Sequence, residues 1–291
     1  MSSVPEQVPL WEPTAGDRER AEMTRFMRFA GACHGRAFAD YDELWKWSVA
    51  EVEEFWASIW EFCGVRASKP YERVLPAREM PGTRWFEGAE LNYAENLLLG
   101  PATPARGADA GPISGQTPAA SDSAGRDPDE VAVLHCSELR ELSEMTWGEL
   151  TGEVARAAAG LRALGVARGD RVVAYMPNIP ETLVAFLATA SIGAIFSSAA
   201  PEFGARSVID RFAQIEPKVL LAVDGYRHGG KDFDRLPVVR GILAELPTVE
   251  HAVLLPYLSA DASATDLPGG MRWDQLLTLG EGSSTSHMCE V

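Results

Sequence analysis

The stretch from residue 165 to residue 231 limits most strongly what this chain can fold into. Short, mostly apolar runs alternate there with runs of helical spacing, and the short runs have the length of strands buried on both faces. Strands that are joined through helices form right-handed crossovers and a parallel sheet. We therefore predict an α/β fold with a parallel-type sheet flanked by helices. The predicted strands are 172–176, 194–198 and 218–223, and the predicted helices are 180–192 and 206–215.

Local signals mark where these elements begin and end. Gly165 follows a helical run and is suited to the left-handed cap conformation, and Gly193 interrupts the next helical run. Pro180 stands where the first residue of a helix tolerates a missing N–H. Thr146 and Glu149 have the spacing of a capping box, so we expect a helix to begin after Thr146.

Composition divides the chain into three parts. Residues 1–99 are predicted to be an N-terminal arm and a helical segment, in which aromatic side chains recur at helical spacing over 41–62. We expect this aromatic segment to be a helical layer of the protein, and a groove for a partner is the alternative. Residues 100–129 are rich in proline, glycine, alanine and serine, which indicates a flexible linker or surface insertion. Residues 130–291 are predicted to be the first α/β subdomain of a larger domain.

Charge and cysteine content exclude several functions. The formal net charge of -16 disfavours nucleic acid and anionic membranes as partners, because both require a cationic surface. The most apolar run, 184–200, is divided by Gly193, whereas a membrane span needs about 20 continuous apolar residues. The cysteines are widely separated, so they predict reduced thiols in a cytoplasmic protein rather than a metal site. These cysteines are Cys33, Cys63, Cys136 and Cys289.

Ligands of parallel sheets bind in the loops at the carboxyl ends of the strands. In the loop 224–232, Arg227, His228 and Lys231 are interspersed with glycines, which allows close backbone approach and supplies cations suited to phosphate. The alternative is a solvated turn whose charges pair with neighbouring aspartates.

The loop after the second predicted strand is the other candidate. It contains Pro201, Glu202 and Phe203, and Phe203 either contacts a ligand or covers the core. The chain has no GxxxxGK[ST], GxGxxG, HExxH or GxSxG motif, so we assign no catalytic residue and no metal ligand.

The aromatic N-terminal segment and four further runs resemble the acetoacetyl-CoA synthetases, a branch of the acyl-adenylate-forming (AMP-binding) enzymes that also includes acetyl- and propionyl-CoA synthetases. The resemblance extends from Trp11 to the end, interrupted only at 100–129. Acetyl-type enzymes usually have a glycine pair before the aromatic residue of the loop, where this chain has Pro201 and Glu202, which favours the acetoacetate branch. The runs are WFEGAELNYAEN at 85–96, GDRVVAYMPNIPET at 169–182, IGAIFSSAAPEFGARSVIDRFAQIEPKVLL at 192–221 and DGYRHGGK at 224–231.

The resemblance implies ATP-dependent activation of acetoacetate through acetoacetyl-AMP to acetoacetyl-CoA, with release of AMP and pyrophosphate. It implies small-molecule substrates, with ATP, coenzyme A (CoA) and Mg²⁺ as cofactors. It also places Pro201, Glu202 and Phe203 beside the pantetheine of CoA. Arg227 or His228, together with Lys231, is placed against the CoA phosphates. Alternatives are a propionate or acetate ligase, and a non-catalytic module that binds CoA or a protein.

Other parts of the family pattern are not in this sequence. The Gly, Ser and Thr-rich phosphate loop, the later acidic motifs and the C-terminal lid with its lysine are expected beyond residue 291. The resemblance therefore implies the N-terminal part of a longer enzyme, and we expect the chain alone to lack adenylating activity.

Overall fold

The computed structural model describes residues 10–101 and 126–281. The chain divides into two compact units. Of the described residues, the first unit contains 10–65, 69–89 and 101, and the second contains 66–68, 90–100 and 126–281. Cys289 and most of the predicted linker lie outside the described residues, and the three-part division of the chain stays a prediction.

The first unit is built from helices with an aromatic core. Phe26, Phe29 and Trp47 are buried, and the Phe26 ring packs edge to face on those of Phe55 and Phe62. The aromatic segment predicted at 41–62 is two helices rather than one continuous run. The helices are α1 (Ala15–Arg20), α2 (Glu22–His34), α3 (Tyr41–Ala50) and α4 (Val52–Phe62).

The second unit contains the α/β fold that the sequence predicts. Its helices are α5 (Tyr93–Leu99), α6 (Trp147–Ala163), α7 (Pro180–Ser191), α8 (Ala205–Phe212), α9 (Leu236–Ala244) and α10 (Trp273–Leu279), and a 3-10 turn at Ala213–Ile215 extends α8. Its strands are β1 (Val131–Ser137), β2 (Arg140–Thr146), β3 (Arg171–Tyr175), β4 (Ile195–Ala199), β5 (Val219–Val223), β6 (Gly225–His228), β7 (Lys231–Asp234), β8 (His251–Leu255) and β9 (Met271–Arg272).

The largest sheet of the described residues is parallel throughout, with the strand order β4-β3-β5-β8-β9. Alternate residues of its central strands face two separate apolar cores. Val172 and Leu221 belong to the core that includes α6, α7 and α10, whereas Val173 and Leu220 belong to the core that includes α8 and α9. A parallel sheet covered on both faces is the arrangement that apolar strands of this length require. The predicted fold class is confirmed.

The capping signals are also confirmed. The Thr146 side chain accepts the N–H of Glu149 and the Glu149 carboxylate accepts that of Thr146, which starts α6. Pro180 is the first residue of α7, and Gly165 and Gly193 have φ of 78° and 76°. The antiparallel pairing of β1 with β2 and of β6 with β7, and the short strand β9, were not predicted.

No helix within 10–101 or 126–281 combines the length and the apolar character that crossing a bilayer requires.

Replacement of Gly160 by alanine is expected to destabilise the second unit. A Cβ atom at Gly160 would lie 2.3 Å from the carbonyl oxygen of Leu276, so α6 and α10 would have to separate. We expect a loss of about 2–3 kcal/mol. The matched control is Gly152→Ala in the same helix, where a Cβ atom meets nothing within 4 Å and higher helix propensity should stabilise by about 0.5–1 kcal/mol. Hydrogen–deuterium exchange of the β3 and β5 amides measures both changes in stability. Equal changes for Gly160→Ala and Gly152→Ala would contradict the close packing of α6 on α10.

Candidate functional site

The two loops that the sequence singles out lie on the same edge of the parallel sheet. Pro201, Glu202 and Phe203 follow β4, whereas Arg227, His228 and Lys231 belong to the segment that follows β5. In the sheet, β3 is hydrogen-bonded to both β4 and β5. The structure therefore brings the candidates to the carboxyl edge of the sheet, on either side of the end of β3.

Tyr175, the last residue of β3, holds the loop after β4. Its side chain is fully buried, and its hydroxyl lies 2.6 Å from the carbonyl oxygen of Pro201 and 2.9 Å from that of Phe203. Burial raises the pKa of the Tyr175 hydroxyl, which therefore keeps its proton and donates to these acceptors. The sequence analysis missed this residue, although it is the polar side chain at the end of an apolar strand.

The loop after β4 presents part of its surface to solvent. Glu202 and Phe203 are exposed, whereas Pro201 is buried. The guanidinium carbon of Arg211 lies 5.0 Å from the centre of the Phe203 ring, which is within the range of a cation–π contact. The position of Phe203 allows contact with a ligand, and it contributes little to the core.

The segment after β5, predicted as a loop, is an antiparallel hairpin. Gly229 and Gly230, with φ of 58° and 73°, form the two-residue turn between β6 and β7. Two successive residues with positive φ suit the tight turn of a twisted hairpin, and glycine adopts this conformation without steric cost. His228 and Lys231 pair directly across this turn.

The cations of the hairpin are in different environments. Arg227 forms two hydrogen bonds with the carboxylate of Asp232, at 2.6 and 3.1 Å, so its charge is neutralised within the hairpin. This pairing is the alternative that the sequence analysis left open. His228 and Lys231 are exposed, and no carboxylate among the described residues comes within ion-pair distance of the Lys231 ammonium.

The turn amides of the hairpin already bind an anionic group, the side chain of Glu138. The N–H of Gly229 donates to Oε1 of Glu138 at 2.7 Å, and the N–H of Gly230 donates to Oε2 at 2.8 Å. These two backbone N–H groups, with smaller contributions from His228 and Arg227, hold the pKa of Glu138 below its ordinary value. The sequence analysis missed Glu138, which lies at the tip of the β1–β2 hairpin.

Neighbours of Glu138 hold this tip on the sheet edge by separate interactions. The Arg140 guanidinium forms two hydrogen bonds with the carboxylate of Glu181, at 2.9 and 2.8 Å, and its carbon lies 4.8 Å from the centre of the Tyr257 ring. The Tyr257 hydroxyl donates to Oγ of Ser137 at 2.7 Å. These contacts do not involve the Glu138 carboxylate.

A buried carboxylate shapes the middle of the edge. Asp224 follows β5 directly and accepts three backbone N–H groups, from Tyr257 at 2.6 Å, Leu258 at 2.9 Å and Ser259 at 2.7 Å. These bonds satisfy a charge that would otherwise be costly to bury. The role of Asp224 is to hold the segment after β8.

Arg235 supplies another cation at this edge. Its guanidinium carbon lies 5.1 Å from the centre of the Tyr226 ring and 5.8 Å from that of Phe233, and Nη2 donates to the Tyr226 hydroxyl at 2.9 Å. Its Nε is buried and has no hydrogen-bond acceptor in the described part of the chain. Sequence reasoning missed Arg235 because it placed the end of the charged loop at residue 232.

The carboxyl edge of the sheet carries cations, turn amides and an exposed aromatic ring. These groups suit a phosphate-bearing ligand with an apolar portion. Histidine, cysteine and carboxylate side chains do not gather into any group of three suited to a metal ion within 10–101 and 126–281.

Comparison with known proteins gives matches along most of the chain. The family model described as AMP-binding enzyme matches residues 120–273, and the model described as acetyl-coenzyme A synthetase N-terminus matches residues 41–97. The acetoacetyl-CoA synthetase of Rattus norvegicus is 34% identical over 286 residues, which are 96% of this chain and 38% of that protein. The acetoacetyl-coenzyme A synthetase of Rhizobium meliloti is 38% identical over 266 residues, which are 90% of this chain and 36% of that protein.

A solved structure described as acetoacetyl-CoA synthetase from Streptomyces lividans is also similar. It is 43% identical in sequence, with a TM-score of 0.81, over 98% of this chain and 39% of that chain. The chain thus spans less than two fifths of the length of the two curated relatives named above.

Replacement of Asp224 by asparagine is expected to destabilise the sheet edge. The amide of asparagine would direct an N–H group at one of the three backbone donors, so we expect a loss of about 2 kcal/mol. The matched control is Asp261→Asn, an exposed site, where a change within about 0.5 kcal/mol is expected. Hydrogen exchange of the β5 and β8 amides measures both, and an unaffected Asp224→Asn protein would contradict the role given to this carboxylate.

Proposed function

The chain belongs to the AMP-binding enzyme family, and we propose that it forms the N-terminal part of an acetoacetate–CoA ligase. In this reaction the carboxylate of acetoacetate attacks the α-phosphate of ATP and pyrophosphate leaves. The thiolate of CoA then displaces AMP from acetoacetyl-AMP and forms the thioester. Support comes from the relatives in Rattus norvegicus and Rhizobium meliloti and from the Streptomyces lividans structure, each described as an acetoacetyl-CoA synthetase.

We assign the carboxyl edge of the sheet to CoA. The observation that carries this proposal is that the loop after β4 and the hairpin after β5 flank the end of β3. On this assignment, Phe203 and Glu202 lie beside the pantetheine, together with the backbone at Pro201. His228 and Lys231 oppose the phosphates, because both are exposed cations or potential cations. Arg227 acts indirectly, since Asp232 already binds its guanidinium.

ATP and Mg²⁺ are assigned to the part of the protein outside this sequence. Bound Mg²⁺ would neutralise charge on the ATP phosphates. The residues described here contribute by binding and orienting CoA, while adenylation requires groups that they do not include. Acetate is an alternative acyl substrate, because the model that matches residues 41–97 is described for acetyl-coenzyme A synthetase. Propionate is the other alternative, which the family resemblance implies.

We also propose a cytoplasmic location. Cys63 and Cys136 are free thiols, and free thiols are typical of proteins in a reducing compartment.

Acyl preference is tested on the full-length gene product that contains this segment. With ATP, Mg²⁺ and CoA, we expect pyrophosphate release to depend on acetoacetate, with kcat/KM at least about tenfold above that for acetate or propionate, because a site that hydrogen-bonds a substrate oxygen rejects analogues without it. A preference for acetate or propionate would replace the acetoacetate assignment. The absence of any acid-dependent pyrophosphate release would contradict ligase activity.

The assignment of Lys231 is tested by Lys231→Ala in the same protein. Loss of a charge-assisted hydrogen bond to phosphate should raise KM for CoA about three- to tenfold, while KM for ATP stays unchanged. Lys46→Ala, which removes an exposed positive charge from α3, is the control and should change neither value. An unchanged KM for CoA in Lys231→Ala would contradict the assignment.

A further inference from the structure

We propose that Glu138 occupies the phosphate site of the β6–β7 hairpin as an internal anion, and that a phosphate of CoA displaces it. The inference rests on the proposed function, because it adds to the CoA site a residue that sets the affinity and selectivity for the ligand. Neither the family resemblance nor the sequence pattern assigns any role to Glu138.

The turn amides of Gly229 and Gly230 form the site itself. In a two-residue hairpin turn, the cross-strand hydrogen bonds are made by the residues that flank the turn, here His228 and Lys231. The N–H groups of the two turn residues are left over and point outward together, which forms a concave anion site. The carboxylate of Glu138 binds them at 2.7 and 2.8 Å, with one oxygen on each amide.

Glu138 is placed so that it can leave this site. Its side chain is 41% exposed, so water and a ligand have access to the carboxylate. The tip that carries it remains fixed by the bonds of Arg140 to Glu181 and of Tyr257 to Ser137. Release of Glu138 therefore requires a change of side-chain rotamer and leaves the β1–β2 hairpin folded.

A phosphate group should bind the turn amides more strongly than the Glu138 carboxylate does. It carries a higher negative charge and more acceptor oxygens than a carboxylate, so it can bind both turn amides and also approach a cation. Lys231 pairs with His228 across the turn and has no carboxylate within ion-pair distance in the described ranges. The ammonium group of Lys231 is thus available to a bound phosphate. The Glu138 carboxylate does not make this interaction.

Tethering explains why Glu138 fills the site when no phosphate is present. A group attached to the same chain has an effective concentration in the millimolar range or above, so a weakly binding anion in solution competes poorly with it. Glu138 should therefore exclude small monoanions and admit a phosphate that other contacts hold in place. Glu138 thereby makes the turn amides selective for a polyvalent anion, in a chain whose own net charge is -16.

The test compares CoA binding by the full-length gene product that contains this segment and by its variants Glu138→Gln and Glu138→Ala, using calorimetry. Removal of the competing carboxylate should tighten CoA binding about tenfold, the size expected for loss of a charge-assisted interaction. Glu144→Gln is the matched control, because it removes one negative charge from an exposed site on β2. It should bind CoA as the unchanged protein does. In ¹⁵N NMR spectra of the unchanged protein, added CoA should shift the Gly229 and Gly230 amide signals.

The outcomes separate this inference from the proposed function. If the unchanged protein binds CoA and the Glu138 variants bind it no more tightly than Glu144→Gln, the CoA site stands and the role of Glu138 is overturned. If inorganic pyrophosphate binds more tightly to the Glu138 variants but CoA binds to none of the proteins, the anion site stands and the CoA assignment falls. If neither probe binds to any variant, both are overturned. A variant that fails to fold is recognised by lost amide protection, and the second Glu138 substitution then decides.

Discussion

Burial of β3 on both faces of the parallel sheet is the constraint on which the rest of the second unit depends. Val172 and Val173 face opposite cores, so helices must cover both sides of the strand. The strand can then display functional groups only at its ends. Tyr175 ends it with a hydroxyl that binds two carbonyl oxygens of the neighbouring loop. Strand β3 thereby fixes the position of the segment that we assign to pantetheine.

The carboxyl edge is organised by carboxylates that accept backbone N–H groups. Asp224 gathers three such groups from the segment after β8, and Glu138 gathers two from the β6–β7 turn. Each bond satisfies a backbone donor and joins two segments of the edge. The two differ in exposure, since Asp224 is buried and the Glu138 side chain is 41% exposed. Asp224 therefore has a structural role, whereas a ligand can reach the Glu138 carboxylate and replace it on the turn amides.

The sequence predicts the buried elements of this fold well and its exposed hairpins poorly. Strands β3 and β5 are apolar runs, and Pro180 marks the start of α7 by a local rule. Strands β2 and β7 are largely exposed, so no strong apolar alternation predicts that they pair with their neighbours as hairpins. The contact between Glu138 and Gly229 joins residues 91 positions apart, which no local pattern reveals. The sequence analysis did recognise the glycines and cations of the hairpin, but it could not tell which charges are already paired.

A crystal structure of the full-length protein with CoA bound would test the assignment of the sheet edge. We expect the pantetheine to lie along Phe203, and a CoA phosphate to bind the amides of Gly229 and Gly230 and the ammonium group of Lys231. We also expect the Glu138 carboxylate to have turned away from those amides. Bound CoA at a different place, or a CoA phosphate beside the hairpin with Glu138 still on both amides, would contradict the assignment.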